Sequence, residues 1–547
     1  MGSYLVSLIV FLPLLGAVLL YLVPAFSAGS DHEGEKGRYF TIGVSCVGFI
    51  LSLILLSRFD GSSPSLQFVE NHPWIENFGI SYKVGVDGIS LWLVLLTTFL
   101  MPLVFLASYS VHSKVRGYLA SMLVLETAML GTLVASDLFL FYVFWELMLA
   151  PMYFIIGIWG GPRRIYATIK FVLYTVSGSL LMLISIFYVV WRCYDQTHAL
   201  TFDLQTILDN TNLTLHEEIW LFAAFALAFA IKIPLFPLHT WLPDAHVEAP
   251  TGGSVVLAGV LLKMGIYGFL RFAYPLFPRG AEYFTVYLAG LAVIGIVYGA
   301  LVAWAQSDIK KLVAYSSVSH LGFCVLGLAA FNSVSTVGSI YQMLNHGIST
   351  GALFLIVGVL YDRRHTRQIS EYGGLAAKVP IFAFFFLIFT LSSISLPLTN
   401  GFIGEFMILA GSFKSFPWLT VFGTLGVILG AVYMLTLYMR AMYGELDESK
   451  NGNLTDMSPR EIAIFIPLLC MVFLMGIYPQ PFLERMEPAV NNYLNTVNAR
   501  SARLQENETA PGSNDEDAPD ATRSPLLSTQ SARQMEVTAT TERRVAL

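Results

Sequence analysis

The chain has 547 residues, of which 55% are apolar and only 12% charged, and its mean hydropathy is +0.65. A soluble protein carries about 25% charged residues, so this composition excludes an ordinary soluble domain and defines an all-α polytopic membrane protein. The formal net charge of -6 belongs partly to a polar tail, and nothing in the composition points to nucleic acid.

The first apolar run, Tyr4 to Pro24, has no basic leading segment and no small-residue cleavage site, so it is read as a retained span. Apolar runs of about 18 to 25 residues then recur and predict about fourteen spans. They start near Tyr4, Phe40, Ile89, Gly117, Leu138, Thr168, Ile219, Gly252, Tyr283, Leu312, Val337, Pro380, Trp418 and Pro459. Basic residues concentrate in the loops after odd-numbered spans, among them Lys114, Arg116, Arg163, Arg164, Arg363 and Arg364. Such loops stay on the cytoplasmic side, which places both termini outside. From Asn498 onward the sequence is rich in Ser, Thr, Asn, Asp and Pro, and a disordered polar tail is expected over 498–547. Cys46, Cys193, Cys324 and Cys470 fall in different apolar runs without a CxxC pair, which argues against iron–sulfur, zinc or haem ligation.

Several ionisable residues break the apolar runs. Glu146 lies in "FLFYVFWELMLAPMYFIIGIW", Lys232 in "AIKIPLFPLHTWLPDAHVEAPT", Lys263 in "VVLAGVLLKMGIYGFL" and Glu405 in "LPLTNGFIGEFMILAG". His320 in "AYSSVSHLGF" and His346 in "YQMLNHGISTGALFL" join them. A charge near the bilayer centre costs about 2.5 to 3.5 kcal/mol on the gentlest scale, so such residues mark a bundle interior or an ion path. Snorkelling at a helix end is the plainer explanation, but Glu146 and Lys263 lie too deep in their runs for it. A helix histidine such as His346 is equally well a satisfied core residue. Asp137, Asp244, Asp308, Lys310 and Lys311 lie close to loops and are read as solvated.

Prolines interrupt two of the spans. Pro234 and Pro237 are expected to free the carbonyls of Ala230 and Ile233, placing Lys232 at a helix break where a hydrated cavity could solvate it. Pro397, Asn400 and Gly401 make a second break shortly before Glu405. Paired broken segments point to the ion path of a transporter, and their separation by an odd number of spans requires an inverted repeat. Burial disfavours an ammonium and a nearby carboxylate favours it. A movable Glu146–Lys232 pair would therefore act as a proton switch, titrating as a coupled unit.

The stretches "FWELMLAPMYFIIGIWGG", "KIPLFPLHTWLPDAHVEAPT", "QSDIKKLVAYSSVSHLGF" and "NHGISTGALFLIVGVLYDRRHTRQISEYGGL" resemble the antiporter-like subunits of respiratory complex I, NADH:quinone oxidoreductase. The resemblance spans roughly Tyr4 to Asn495. It implies fourteen transmembrane helices, with two inverted five-helix repeats and broken helices 7 and 12. It implies a proton relay at mid-membrane, with Glu146 and Lys232 as its ion pair, Lys263 as the central lysine, His320 as a relay histidine and Glu405 as the terminal group. His346 fits that axis less closely.

By the same resemblance, the segments are three helices over 1–110, a first repeat over 111–280, an inverted second repeat over 281–445 and a last helix with flanking residues over 446–497. This chain would hold no cofactor, with NADH, FMN, iron–sulfur clusters and quinone in partner subunits. The partners would include the L-like and N-like antiporter-like subunits in a bacterial cytoplasmic membrane. Mrp-type cation/proton antiporters and membrane-bound hydrogenases each contain a related membrane component. Those relatives commonly carry lysine where this chain has Glu405 and in the motif that here reads Ser349, Thr350 and Gly351, so the subunit 4 branch of complex I is favoured. A purely structural anchor is the reading from another class, but it would gain nothing from several desolvated charges.

Overall fold

The computed structural model describes residues 4–23 and 33–509. Among them, twelve helices are long and apolar enough to cross a membrane: Leu5–Leu22, Gly34–Arg58, Ser90–Ser110, Val115–Val134, Leu138–Trp159, Arg164–Thr197, Thr251–Leu276, Pro278–Trp304, Ile309–Ala329, Ser333–Arg364, Pro417–Met442 and Pro459–Ile477. Two further helices are interrupted. One runs as Leu215–Lys232 and Trp241–Glu248, the other as Pro380–Ser393 and Asn400–Ser415. Both breaks fall at the expected prolines.

The first break corrects one expectation. The Ala230 carbonyl is not left free, because the chain widens into a five-residue turn around Pro234 and Leu235 N–H reaches it at 2.8 Å. The carbonyl that needs outside help is that of Ile231, which accepts the Trp241 indole N–H at 2.9 Å. The carbonyls of Ala230 and Ile231 are thus satisfied by protein. The second break passes through Ser395 (φ 59°) and Leu398 (φ 76°), left-handed backbone that turns the chain between its two half-helices.

The helices bearing the central ionisable groups are the innermost. The most apolar windows of Thr251–Leu276 and Ser333–Arg364 are wholly buried, and that of Ile309–Ala329 nearly so. By contrast, Arg164–Thr197 turns Ile169, Leu173, Leu180 and Ile184 outward. Small residues allow the close packing. A Cβ on Gly265, two residues beyond Lys263, would sit 2.6 Å from the Phe229 carbonyl oxygen, so only glycine lets the Lys263 helix lie this close to Leu215–Lys232.

One end of the bundle carries an element that apolar periodicity does not reveal. An antiparallel hairpin pairs Gln67–Ile75 with Ile80–Val86 through Gly79 at φ 63°. Glu70 fastens this hairpin to the first helix by accepting Val6 N–H at 2.9 Å and the Ser7 hydroxyl.

Two expectations about polar residues are overturned. The segment from Asn498 does not begin a disordered tail, because the helix Gln480–Thr509 continues through it. Arg500 donates to the carbonyls of Leu208 and Thr211, and Arg503 to those of Leu208 and Asp209 at 2.6 and 2.7 Å. These guanidiniums satisfy the open C-terminal carbonyls of the short helix Leu204–Asn210, a long-range role invisible to composition. Residues from Ala510 on lie outside the described residues. Asp137, Asp308 and Lys310, read as solvated, are buried instead. Asp137 caps Leu138–Leu147 through Phe139 N and Leu140 N, and Asp308 caps Ile309–Ala329 through Lys310 N and Lys311 N. Lys311 is exposed and Asp244 half-buried, closer to the expectation.

Glu218 and Arg279 join the starts of two helices, with Nε to Oε1 at 2.8 Å, both side chains buried. Removing one partner of such a pair strands the other charge and costs about 3–5 kcal/mol. Arg279→Met is expected to lower the thermal unfolding midpoint of the purified protein, and Arg279→Met with Glu218→Gln to recover part of the loss.

Candidate ion-path site

The site begins on Thr251–Leu276. Lys263 is flanked by two π-helical segments, Leu257–Leu261 and Phe269–Ala273. In the first, Leu262 N–H bonds back five residues to Leu257 O at 3.2 Å, and the Ala258 carbonyl turns toward the Lys263 ammonium. Such π-bulges recur at functional sites because they release a carbonyl from the helical ladder. The Lys263 side chain is 1% exposed, and its Nζ lies 2.6 Å from Nδ1 of His346.

From His346 the polar line crosses to the next helix. The His346 and His320 rings lie 5.9 Å apart between centroids, inclined at 56°. His320 Nδ1 meets Glu405 Oε1 at 2.9 Å, and its Nε2 faces the Tyr433 hydroxyl at 3.3 Å. The same Glu405 oxygen accepts Gln342 Nε2–H at 3.0 Å, and Asn345 donates to Gln342 Oε1 at 3.2 Å to fix that amide. Beyond it, Asn400 donates to Asn345 O and to the Ser349 hydroxyl at 3.3 Å each and accepts from Ser392 at 2.6 Å. Helix interior and helix break are therefore joined by one hydrogen-bonded cluster. His346, equally well read from the sequence as a satisfied core residue, is the direct partner of Lys263.

At the other end the candidates are less tightly joined. Lys232 ends its helix buried, with Nζ over the Trp145 ring at 5.1 Å, a cation–π contact. Glu146, next to Trp145, does not close on it: no ammonium–carboxylate contact of 4.0 Å or less joins the two. Glu146 Oε1 is buried without a hydrogen-bond partner. Among the described residues, no hydrogen bond or ion pair joins Lys232 to Lys263 either.

Other buried polar groups were not singled out from the sequence. His246 is fully buried, stacked on Phe354 with centroids 4.5 Å apart and planes 8° off parallel, and neither ring nitrogen has a hydrogen-bond partner. Glu126, also fully buried, has both carboxyl oxygens unpartnered. Glu126 stands in the apolar run "SMLVLETAMLGTLV", the same signal that marked Glu146. Gln342 and Tyr433 carry no comparable signal, being ordinary in helices.

Fold and site together define a polytopic helical membrane protein with ionisable side chains strung through its interior. The family model described as NADH:quinone oxidoreductase/Mrp antiporter, transmembrane, matches residues 135–430, and that for the amino terminus of NADH-ubiquinone oxidoreductase chain 4 matches 40–136. The chain is 48% identical to NADH-quinone oxidoreductase subunit M of Rhodobacter capsulatus, over 90% of this chain and 97% of that protein. It is 43% identical to NADH-ubiquinone oxidoreductase chain 4 of Marchantia polymorpha, over 88% and 96%. A chain of respiratory complex I from Thermus thermophilus with bound NADH superposes with a TM-score of 0.81 at 33% identity, covering 90% of this chain and 99% of that one. The archaeal membrane-bound sulfane sulfur reductase shares the fold, with a TM-score of 0.77 at 20% identity, over 90% and 100%. The chain belongs to the NADH:quinone oxidoreductase/Mrp antiporter membrane-subunit family.

The packing around Glu405 gives a test of this geometry. A methyl on Gly404 would lie 2.5 Å from Gln342 Oε1 and 2.8 Å from Asn345 Nδ2, whereas one on Gly290 meets nothing within 4 Å. Overpacking of this kind costs about 1–3 kcal/mol. Gly404→Ala is expected to lower the thermal midpoint and Gly290→Ala to leave it unchanged or raise it, as read by tryptophan fluorescence in detergent.

Proposed function

We propose that this chain is a proton-translocating subunit of the membrane arm of NADH:quinone oxidoreductase, its protons moving along Glu146, Lys232, Lys263, His346, His320 and Glu405. The observation that carries the reading is the buried line from Lys263 through His346 and His320 to Glu405, with its 2.6 and 2.9 Å contacts. Each member can hold or pass a proton, and their neighbours keep them in one row. Buried ionisable groups on separate inner helices are costly to a scaffold and useful to a relay.

In this reading the chemistry of NADH, FMN, iron–sulfur clusters and quinone takes place in partner subunits, and this chain holds no redox site. The open Glu146–Lys232 arrangement is one state of a switch. When the pair closes, the carboxylate holds the ammonium protonated; when it opens, the lysine's proton is free to move toward Lys263. The two interrupted helices count as the seventh and twelfth of fourteen crossings and anchor two inverted repeats, over 111–280 and 281–445. L-like and N-like subunits flank the chain in a bacterial cytoplasmic membrane, with both termini outside.

The test uses the tagged chain purified in mild detergent with its bound subunits and returned to vesicles. NADH oxidation and proton uptake are then measured together. Lys263→Met is expected to lower the protons pumped per NADH while oxidation continues in an intact assembly. Unchanged pumping would make the buried charges structural. Co-purification with antiporter subunits lacking flavin and clusters would move the chain to the Mrp branch.

A further inference from the structure

Beyond Lys263 the same helix carries a charged cluster that the row from Glu146 to Glu405 does not use. Arg271 stands in the second π-helical segment, Phe269–Ala273, about 12 Å further along the axis at roughly 1.5 Å per residue. Its Nη2 lies 2.7 Å from Asp87 Oδ2, with the two side chains only 15% and 7% exposed. Its Nε–H donates to the Tyr267 hydroxyl at 3.0 Å, and that hydroxyl donates to the Leu133 carbonyl at 2.7 Å.

The cluster lies at the hairpin end of the bundle. Asp87 follows directly on the strand Ile80–Val86, and its other oxygen accepts the N–H groups of Ile89 and Ser90 at 3.1 and 3.0 Å where the next helix begins. Leu133 closes the last turn of Val115–Val134, beside the bridge between Ala135 and Val84 of the hairpin. Three helices and the hairpin thus converge on one guanidinium.

A proton path needs groups that both take and release a proton. A guanidinium only donates, and it keeps its proton in proteins. The Tyr267 hydroxyl proton is spent on a backbone carbonyl, and among the described residues no hydrogen bond or ion pair joins Tyr267 to Lys263. Both Asp87 oxygens are engaged, one by backbone and one by Arg271. A fixed positive charge in a narrow path also repels an arriving proton. Nothing in this cluster can therefore pass a proton on.

We propose that Arg271, held by Asp87 and Tyr267, is a plug that closes the hairpin end of the Lys263 helix and keeps protons from leaking along it to Lys263. The proposal rests on the relay reading of Lys263. Arg271 is a positioning and insulating residue, outside the row that carries protons. Asp87 fixes its place, and the π-helical turn sets its height on the helix.

The test uses the assembled complex in vesicles without NADH, with an imposed pH gradient followed by an entrapped pH-sensitive dye. Arg271→Gln removes the fixed charge and leaves the Asp87 carboxylate free to take and give a proton, so the gradient is expected to collapse about tenfold faster or more. Adding Lys263→Met is expected to return the collapse to the unsubstituted rate, which a general packing defect would not do. Should Arg271→Gln fail to assemble, Arg271→Lys takes its place, because it keeps a cation beside Asp87 but brings a proton that can leave. An unsubstituted rate in the assembled Arg271 variant, or a leak that persists with Lys263→Met, overturns the plug. The relay still stands in either case if Lys263→Met alone lowers the protons pumped per NADH. If Lys263→Met alone keeps full pumping, relay and plug fall together.

Discussion

The interaction on which the structure turns is the burial of Lys263 against an imidazole and a backbone carbonyl, with no carboxylate among the described residues within ion-pair distance. An ammonium in such a place is expensive, by several kcal/mol after relaxation, and the local backbone is shaped around it. The π-helical turn before it supplies the Ala258 carbonyl. His346 supplies a lone pair from Ser333–Arg364, the other wholly buried helix. A site so arranged can take up a proton and hand it on, which is what a central relay group requires.

Around that centre the two helix breaks do different work. The first ends at Lys232 and stacks its charge on Trp145 rather than pairing it with Glu146. That contact gives the ammonium a favourable place outside an ion pair. The second break contributes Asn400 and Ser392, whose bonds reach Asn345 and Ser349 and through Gln342 the carboxylate of Glu405. Movement of either half-helix would therefore be felt at an ionisable group.

Much of this was legible in the sequence because membrane burial makes polarity conspicuous. Glu146, Lys232, Lys263, His320 and Glu405 each interrupt an apolar run, and each lies in the interior or beside it. Where polarity is ordinary, the signal fails. Lys310 and Asp308 sit near a loop, where charges are expected in water, and only the tertiary packing of neighbouring helices buries them. His246 lies among charged and proline residues that disguise its depth. The hairpin of Gln67–Val86 lacks a clean alternation of apolar and polar residues, and part of its fixing comes from Glu70 reaching a helix more than sixty residues earlier. Arg500 and Arg503 look like tail residues until the carbonyls of Leu208 and Thr211 are seen to need them.

In the proposed relay Lys263 and Glu405 communicate through the two histidines, and His320 is the link whose removal severs the row. In vesicles containing the intact complex, His320→Leu should leave NADH oxidation running while the number of protons pumped per NADH falls. Full pumping by an assembled His320→Leu complex would rule out this relay, because no proton could then be passing from His346 to Glu405 by way of His320.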